Sequence, residues 1–343
     1  MDSDDSVAPR GSRARLALGL GLAMAMVLGV VLLLWSPSGS RSAPAVVAAP
    51  EATDPGGPTA DLSGDEVSAE HTIETEDRSA TTMAVVDTGP VVVELVDTSR
   101  ATVRGGIVLD GVRRLPTTVW HPETPGPHPF IVFAHGYQVG PMTYARFCAA
   151  LAARGYVVAA PSFPLADASR GNGLDRDDIG NQAVDVDFVI SSLRATDAAI
   201  DDGPVAVIGH SDGATVALLV AERPAVMHPA VGAVVAIAPD AVEGPFTNTP
   251  PPVLIIHGTD DPIAAFADSQ GDLARFRGAR WLLALEGADH LPPIVGGTPW
   301  TPVLDEAVEV FLAATLPAGV GTDPVGLTSA LEQLELSHVL TAG

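Results

Sequence analysis

In Gly209-His210-Ser211-Asp212-Gly213 a serine stands between two glycines, at the junction of the apolar run Val205-Ala206-Val207-Ile208 and an alanine-rich segment. A serine hydroxyl is a weak nucleophile; it attacks a carbonyl only when a base takes its proton and an acid orients that base. Leu285-Glu286-Gly287-Ala288-Asp289-His290 ends in a candidate base, His290, and Ile255-Ile256-His257-Gly258-Thr259-Asp260-Asp261-Pro262 ends in two candidate acids. Nucleophile, acid and base follow one another in that order, as they do where the serine sits on a strand-to-helix turn, and the three residue types together suit two-step acyl transfer. The glycines have a steric task. A sharp turn from strand to helix strains the serine backbone, and only hydrogen side chains at Gly209 and Gly213 permit the close approach. The helix start beneath Ser211 then favours negative charge.

Other residues compete for these roles. Asp261 is the expected acid, Asp260 its rival, and Asp240, at another strand end, a third candidate. His135 and His257 precede glycines at strand ends and read as turn-shaping residues, while His210 is expected to pack or hydrogen-bond inside the turn. The Asp212 side chain reads as a first-turn helix acid, and Asp289 as solvent-facing. The lone cysteine, Cys148, falls in Tyr144, Phe147, Cys148, Leu151, a helical spacing that makes it an apolar core residue. A single cysteine also excludes an intramolecular disulfide and a thiolate metal cluster.

Positioning three distant segments requires a sheet. The sequence predicts strands at 91–96 and 115–120, an antiparallel edge pair, then at 130–134, 156–160, 205–208, 231–238, 253–256 and 281–285. Helices are predicted at 142–154, stopped by Gly155, and at 177–194, 212–222 and 302–316. Short, wholly apolar strands alternating with helices imply an α/β fold with a mostly parallel sheet covered on both faces. Parallel strands bring their carboxyl ends to one edge, so Ser211, Asp261 and His290 converge there. The connection 239–252 is too short for a large cap domain. An open cleft is therefore expected, rimmed by Tyr137 and the loops 162–176 and 291–300.

With these residues in view, the chain resembles the α/β-hydrolase superfamily, in its branch of chlorophyllase-like, cutinase-like and platelet-activating-factor-acetylhydrolase-like esterases. The resemblance covers residues 85–318. It rests on Val96-Asp97-Thr98-Ser99-Arg100, Arg114-Leu115-Pro116-Thr117-Thr118-Val119-Trp120, His135-Gly136-Tyr137, the serine motif, His257-Gly258-Thr259-Asp260-Asp261 and Gly287-Ala288-Asp289-His290. It implies a serine carboxylic-ester hydrolase with Asp261 as the acid, and an oxyanion hole made by the backbone N–H groups of Tyr137 and Asp212. No metal or organic cofactor is implied. Many relatives carry Met or Gln where this chain has Asp212, a departure that bears on acyl-site polarity.

Composition bounds the rest. All 18 basic residues are Arg and the net charge is −24, so a nucleic-acid partner is excluded as an expectation. Residues 16–35 are twenty consecutive uncharged residues, enough to span ~30 Å of hydrocarbon as a helix. Arg10, Arg13 and Arg15 precede them, which puts residues 1–15 in the cytoplasm and everything after Trp35 outside. The competing reading is a cleaved signal, with Ala43-Pro44-Ala45 as a small-residue site; it would secrete the domain. Residues 36–82 read as a disordered acidic linker, 83–318 as the catalytic domain, and 319–343 as a tail with one short helix around 327–334. The expected partner is an ester substrate, with lipids and polyesters both admitted by an open cleft. An acyltransferase to an envelope alcohol and a catalytically silent binding module of the same fold are the competing functions.

Overall fold

The computed structural model describes residues 89–223, 231–243, 246, 248–316 and 323–341. The expected cytoplasmic segment 1–15, membrane anchor 16–35 and linker 36–82 lie outside the described residues. Among the described residues, no helix is long and apolar enough to cross a membrane.

Among the described residues, eleven strands and seven α-helices follow in chain order. The strands are β1 (Val91–Asp97), β2 (Thr102–Arg104), β3 (Ile107–Asp110), β4 (Arg113–Trp120), β5 (His128–Ala134), β6 (Val157–Pro161), β7 (Ile200–His210), β8 (Val231–Ile237), β9 (Val253–Gly258), β10 (Arg280–Leu285) and β11 (Ser337–Leu340). The helices are α1 (Ala145–Ala153), α2 (Ile179–Thr196), α3 (Asp212–Glu222), α4 (Phe266–Arg275), α5 (Pro292–Val295), α6 (Trp300–Thr315) and α7 (Pro324–Leu331). Nine strands form one sheet in the order β1-β4-β6-β5-β7-β8-β9-β10-β11, and β2 pairs with β3 as a separate hairpin. From β6 to β10 all neighbours are parallel; β1–β4, β4–β6 and β10–β11 are antiparallel.

The apolar runs explain the layering. Phe130 and Val132 belong to the core that α2 and α3 cover, while the alternate residue Phe133 packs against Phe147 of α1 at 5.7 Å between ring centroids. Strands buried on both faces have no polar side to expose, so they read as continuous hydrophobic runs. Each fully buried Phe or Ile side chain contributes about 1.5–3 kcal/mol. Cys148 is buried in α1, as its spacing predicts, and burial pushes its thiol pKa up.

Three elements differ from expectation. The hairpin β2–β3 and the helix α4 were not foreseen, because three- and four-residue strands carry little periodic signal and the ten residues of α4 are mostly small or polar, with Gly271 among them. The sheet also continues past the boundary expected at residue 318. The tail helix forms at Pro324–Leu331, and β11 then pairs with β10, Leu285 opposite Ser337. Leu327 and Leu331 are buried, and Trp281 Nε1–H donates to Thr328 Oγ1 at 2.8 Å. The tail thus completes the sheet at the strand that leads to His290.

Candidate active site

Ser211 stands between the end of β7 and the start of α3, with φ 57°. That left-handed conformation strains a residue with a Cβ. Surrounding packing imposes it. A Cβ on Gly209 would lie 1.9 Å from the Gly213 carbonyl oxygen, and one on Gly213 would lie 2.1 Å from that of Ala134. Both glycines are therefore obligatory where strand, turn and helix cross.

His290 Nε2 lies 2.9 Å from Ser211 Oγ, and His290 Nδ1 lies 2.6 Å from Asp261 Oδ2. The Ser211 hydroxyl donates to Nε2, which leaves Nδ1–H to donate to the carboxylate. Gly258 keeps the Asp261 and His290 loops together: a Cβ there would meet the Ala288 carbonyl oxygen at 2.3 Å. Between the rival acids, the Asp261 side chain is buried and points at the imidazole, whereas Asp260 is exposed. Asp240 pairs with Arg176. Asp289 is exposed, and its Oδ1 accepts from the His290 backbone N–H at 2.6 Å.

The Asp261 carboxyl feels opposing influences. Burial raises its pKa, but hydrogen bonds from His257 and His290 and from the Ile263 N–H outweigh burial and hold it well below the usual carboxylate range. His257 does more than shape a turn. Its Nε2 faces two acceptors, Asp261 Oδ2 and the Ala264 carbonyl oxygen, both at 3.2 Å. Nε2 therefore carries the proton, and Nδ1 accepts from the Ser269 hydroxyl at 2.6 Å.

A second buried chain connects the loop after β5 to the base. The Gly136 N–H donates to Tyr144 Oη at 3.1 Å, and the Tyr144 hydroxyl donates to His210 Nδ1 at 2.9 Å. His210 Nε2–H donates to the His290 carbonyl oxygen at 2.9 Å. The direction is fixed because that carbonyl can only accept. Burial, and next the neighbouring His290, push the His210 pKa down to about 3, so the ring stays neutral. His135 Nε2 accepts from the Phe163 N–H at 3.0 Å, and its Nδ1–H donates to the Gly136 carbonyl at 2.8 Å. The Gln138 N–H donates to the Ala166 carbonyl at 2.7 Å. With its neighbours tied on both sides, Tyr137 offers a backbone N–H that meets no acceptor among the described residues, and so does Asp212 at the first turn of α3.

The Asp212 side chain is 3% exposed and paired with Arg176, which also bonds Asp240 at 2.5 Å and lies over the Tyr137 ring, 5.7 Å from its centroid. Sequence reasoning put Tyr144 on an apolar helical stripe and Arg176 at the end of a rim loop, but gave neither a role at the site. Neither lies in a motif, and both reach the site from a loop or a helix start.

A parallel sheet with a strained serine turn at its carboxyl edge, facing a histidine and an aspartate from the next strand ends, defines an α/β-hydrolase. The chlorophyllase family model matches residues 95–260, a little under half of the chain. No curated protein matches the chain. Among solved structures, the ferulic acid esterase from Streptomyces cinnamoneus is similar, with TM-score 0.47 and 20% identity over 57% of this chain and 73% of that one. The family match, with the geometry of the site, supports a carboxylic ester hydrolase of the α/β-hydrolase type.

Proposed function

We propose that the chain hydrolyses carboxylic esters through an acyl-enzyme on Ser211. The observation that carries this reading is the unbroken path from Ser211 Oγ to His290 (2.9 Å) to Asp261 (2.6 Å) beside two unsatisfied backbone N–H groups. As Oγ bonds to the ester carbonyl carbon, its proton passes to His290 Nε2, and Asp261 stabilises the imidazolium. The N–H groups of Tyr137 and Asp212 receive the oxyanion; losing one such donor costs on the order of 10²–10³ in rate. Collapse breaks the bond to the alcohol, which leaves with the Nε2 proton. Water, deprotonated by the same nitrogen, then attacks the acyl-enzyme and releases the acid and Ser211. No cofactor enters this sequence.

The reading extends to place. Residues 16–35, with Arg10, Arg13 and Arg15 before them, support a domain acting outside the cytoplasm, tethered to the membrane or secreted after cleavage. A p-nitrophenyl ester series tests the chemistry. The full chain should hydrolyse at least one member, and Ser211→Ala should lose roughly 10³-fold or more in kcat. A folded Ser211→Ala protein with undiminished turnover would contradict the reading.

A further inference from the structure

Arg176 spans the sheet edge beside Ser211. Its guanidinium pairs with Asp212, the residue after the nucleophile, and with Asp240 just past the end of β8, while lying over the ring of Tyr137. It therefore bridges segments that follow β5, β7 and β8. Its base is firm: two residues on, Asp178 is 1% exposed and receives Arg113 Nη2 at 2.5 Å. Asp212, buried almost completely, would be an uncompensated charge without this partner.

The reaction's geometry says which part of an ester meets this bridge. The carbonyl oxygen goes to the N–H groups of Tyr137 and Asp212. The alcohol oxygen must lie within reach of His290, which protonates it. The acyl substituent is left to run away from His290, along the wall formed by Tyr137, Asp212 and Arg176. That wall is an ion-pair bridge whose Arg176 and Asp240 remain 45% and 37% exposed. A long alkyl chain lying there would strip water from both charges and return no hydrogen bonds. A compact or polar acyl group avoids that cost.

We infer that Arg176 is a specificity-determining residue, and that its bridge to Asp212 and Asp240 restricts the site to esters with short or polar acyl groups. The inference rests on the hydrolase reading above. The test compares kcat/KM for p-nitrophenyl acetate and p-nitrophenyl octanoate in the full chain, in Arg176→Met and in Arg176→Met/Asp212→Met. The double variant removes the buried carboxylate together with its partner, so it can fold where the single one fails.

The wild type should favour acetate by roughly tenfold or more, and the substitutions should lower that ratio by about tenfold, chiefly by improving octanoate. A wild type that prefers octanoate overturns the inference whether or not either variant folds. So does an unchanged ratio in a folded variant. Both results leave the hydrolase reading intact as long as Ser211→Ala abolishes turnover. A wild type that cleaves neither these esters nor any other of the series overturns the hydrolase reading itself, and the inference with it.

Discussion

His257 and His290 approach the same oxygen of Asp261, the first through Nε2 at 3.2 Å and the second through Nδ1 at 2.6 Å. One carboxylate oxygen thus accepts two imidazole N–H groups, while Oδ1 accepts from the backbone N–H groups of Ile263 and Ala264 at 2.8 and 2.9 Å. Both oxygens are fully engaged, which keeps the carboxylate ionised and aimed at His290.

His257→Leu should remove one of these donors. A carboxyl held below its ordinary range stabilises the fold above that range and loses this contribution as pH falls through its folded value. The variant should therefore be less stable by about 1–3 kcal/mol near pH 7, and the deficit should narrow as pH drops below about 4. Chemical denaturation at several pH values checks this. A deficit that stays constant with pH would show that His257 does not act on the fold through the Asp261 carboxylate.

Tyr144→Phe keeps the ring and deletes the hydroxyl that links Gly136 to His210. The loop carrying Tyr137 and the backbone of His290 then lose their common tie. The expected result is a fall in kcat of about tenfold with KM little changed, because the tie sets geometry for the transition state and not for ground-state binding. Steady-state kinetics with a thermal melt separates this from unfolding.

Arg113 is 1% exposed and pairs with Asp178 (2.5 Å) and Asp185 (2.7 Å); Arg100 reaches Asp185 at 2.6 Å and Asp97 at 2.7 Å. Burial acts first on the Arg113 guanidinium, but its two carboxylate partners outweigh burial and raise its pKa, so it stays charged. Arg113→Met leaves buried Asp178 without an ionic partner and Asp185 with Arg100 alone, and should cost about 3–5 kcal/mol, read by urea unfolding.

Removing residues 323–343 should expose Trp281 and the edge of β10, and should release the Glu286 N–H from the Leu336 carbonyl oxygen, 3.0 Å away. Melting temperature and ester turnover should both fall, since β10 feeds the His290 loop. Unaltered turnover would assign the tail to another task.

The motif residues were legible because steric need ties them to short sequence signals. Gly209, Gly213 and Gly258 can be nothing else at such backbone separations, and apolar strands announce the sheet. What stayed hidden depends on packing between distant segments. Asp97, Arg100 and the Leu115–Trp120 stretch supported the resemblance, yet the buried network of Arg113 with Asp178 and Asp185 had no sequence signature. Arg176, which reaches Asp212 across 36 positions, is silent for the same reason. The tail strand was missed because four half-exposed or exposed residues carry no alternation until β10 lies beside them.

Reaction of the folded protein with a fluorophosphonate, followed by intact-mass and peptide analysis, decides whether Ser211 is the nucleophile. One adduct on the peptide containing Ser211, lost in Ser211→Ala and strongly slowed in His290→Ala, is the expected result. No adduct on the wild type, or an equal adduct on Ser211→Ala, would rule Ser211 out as the nucleophile.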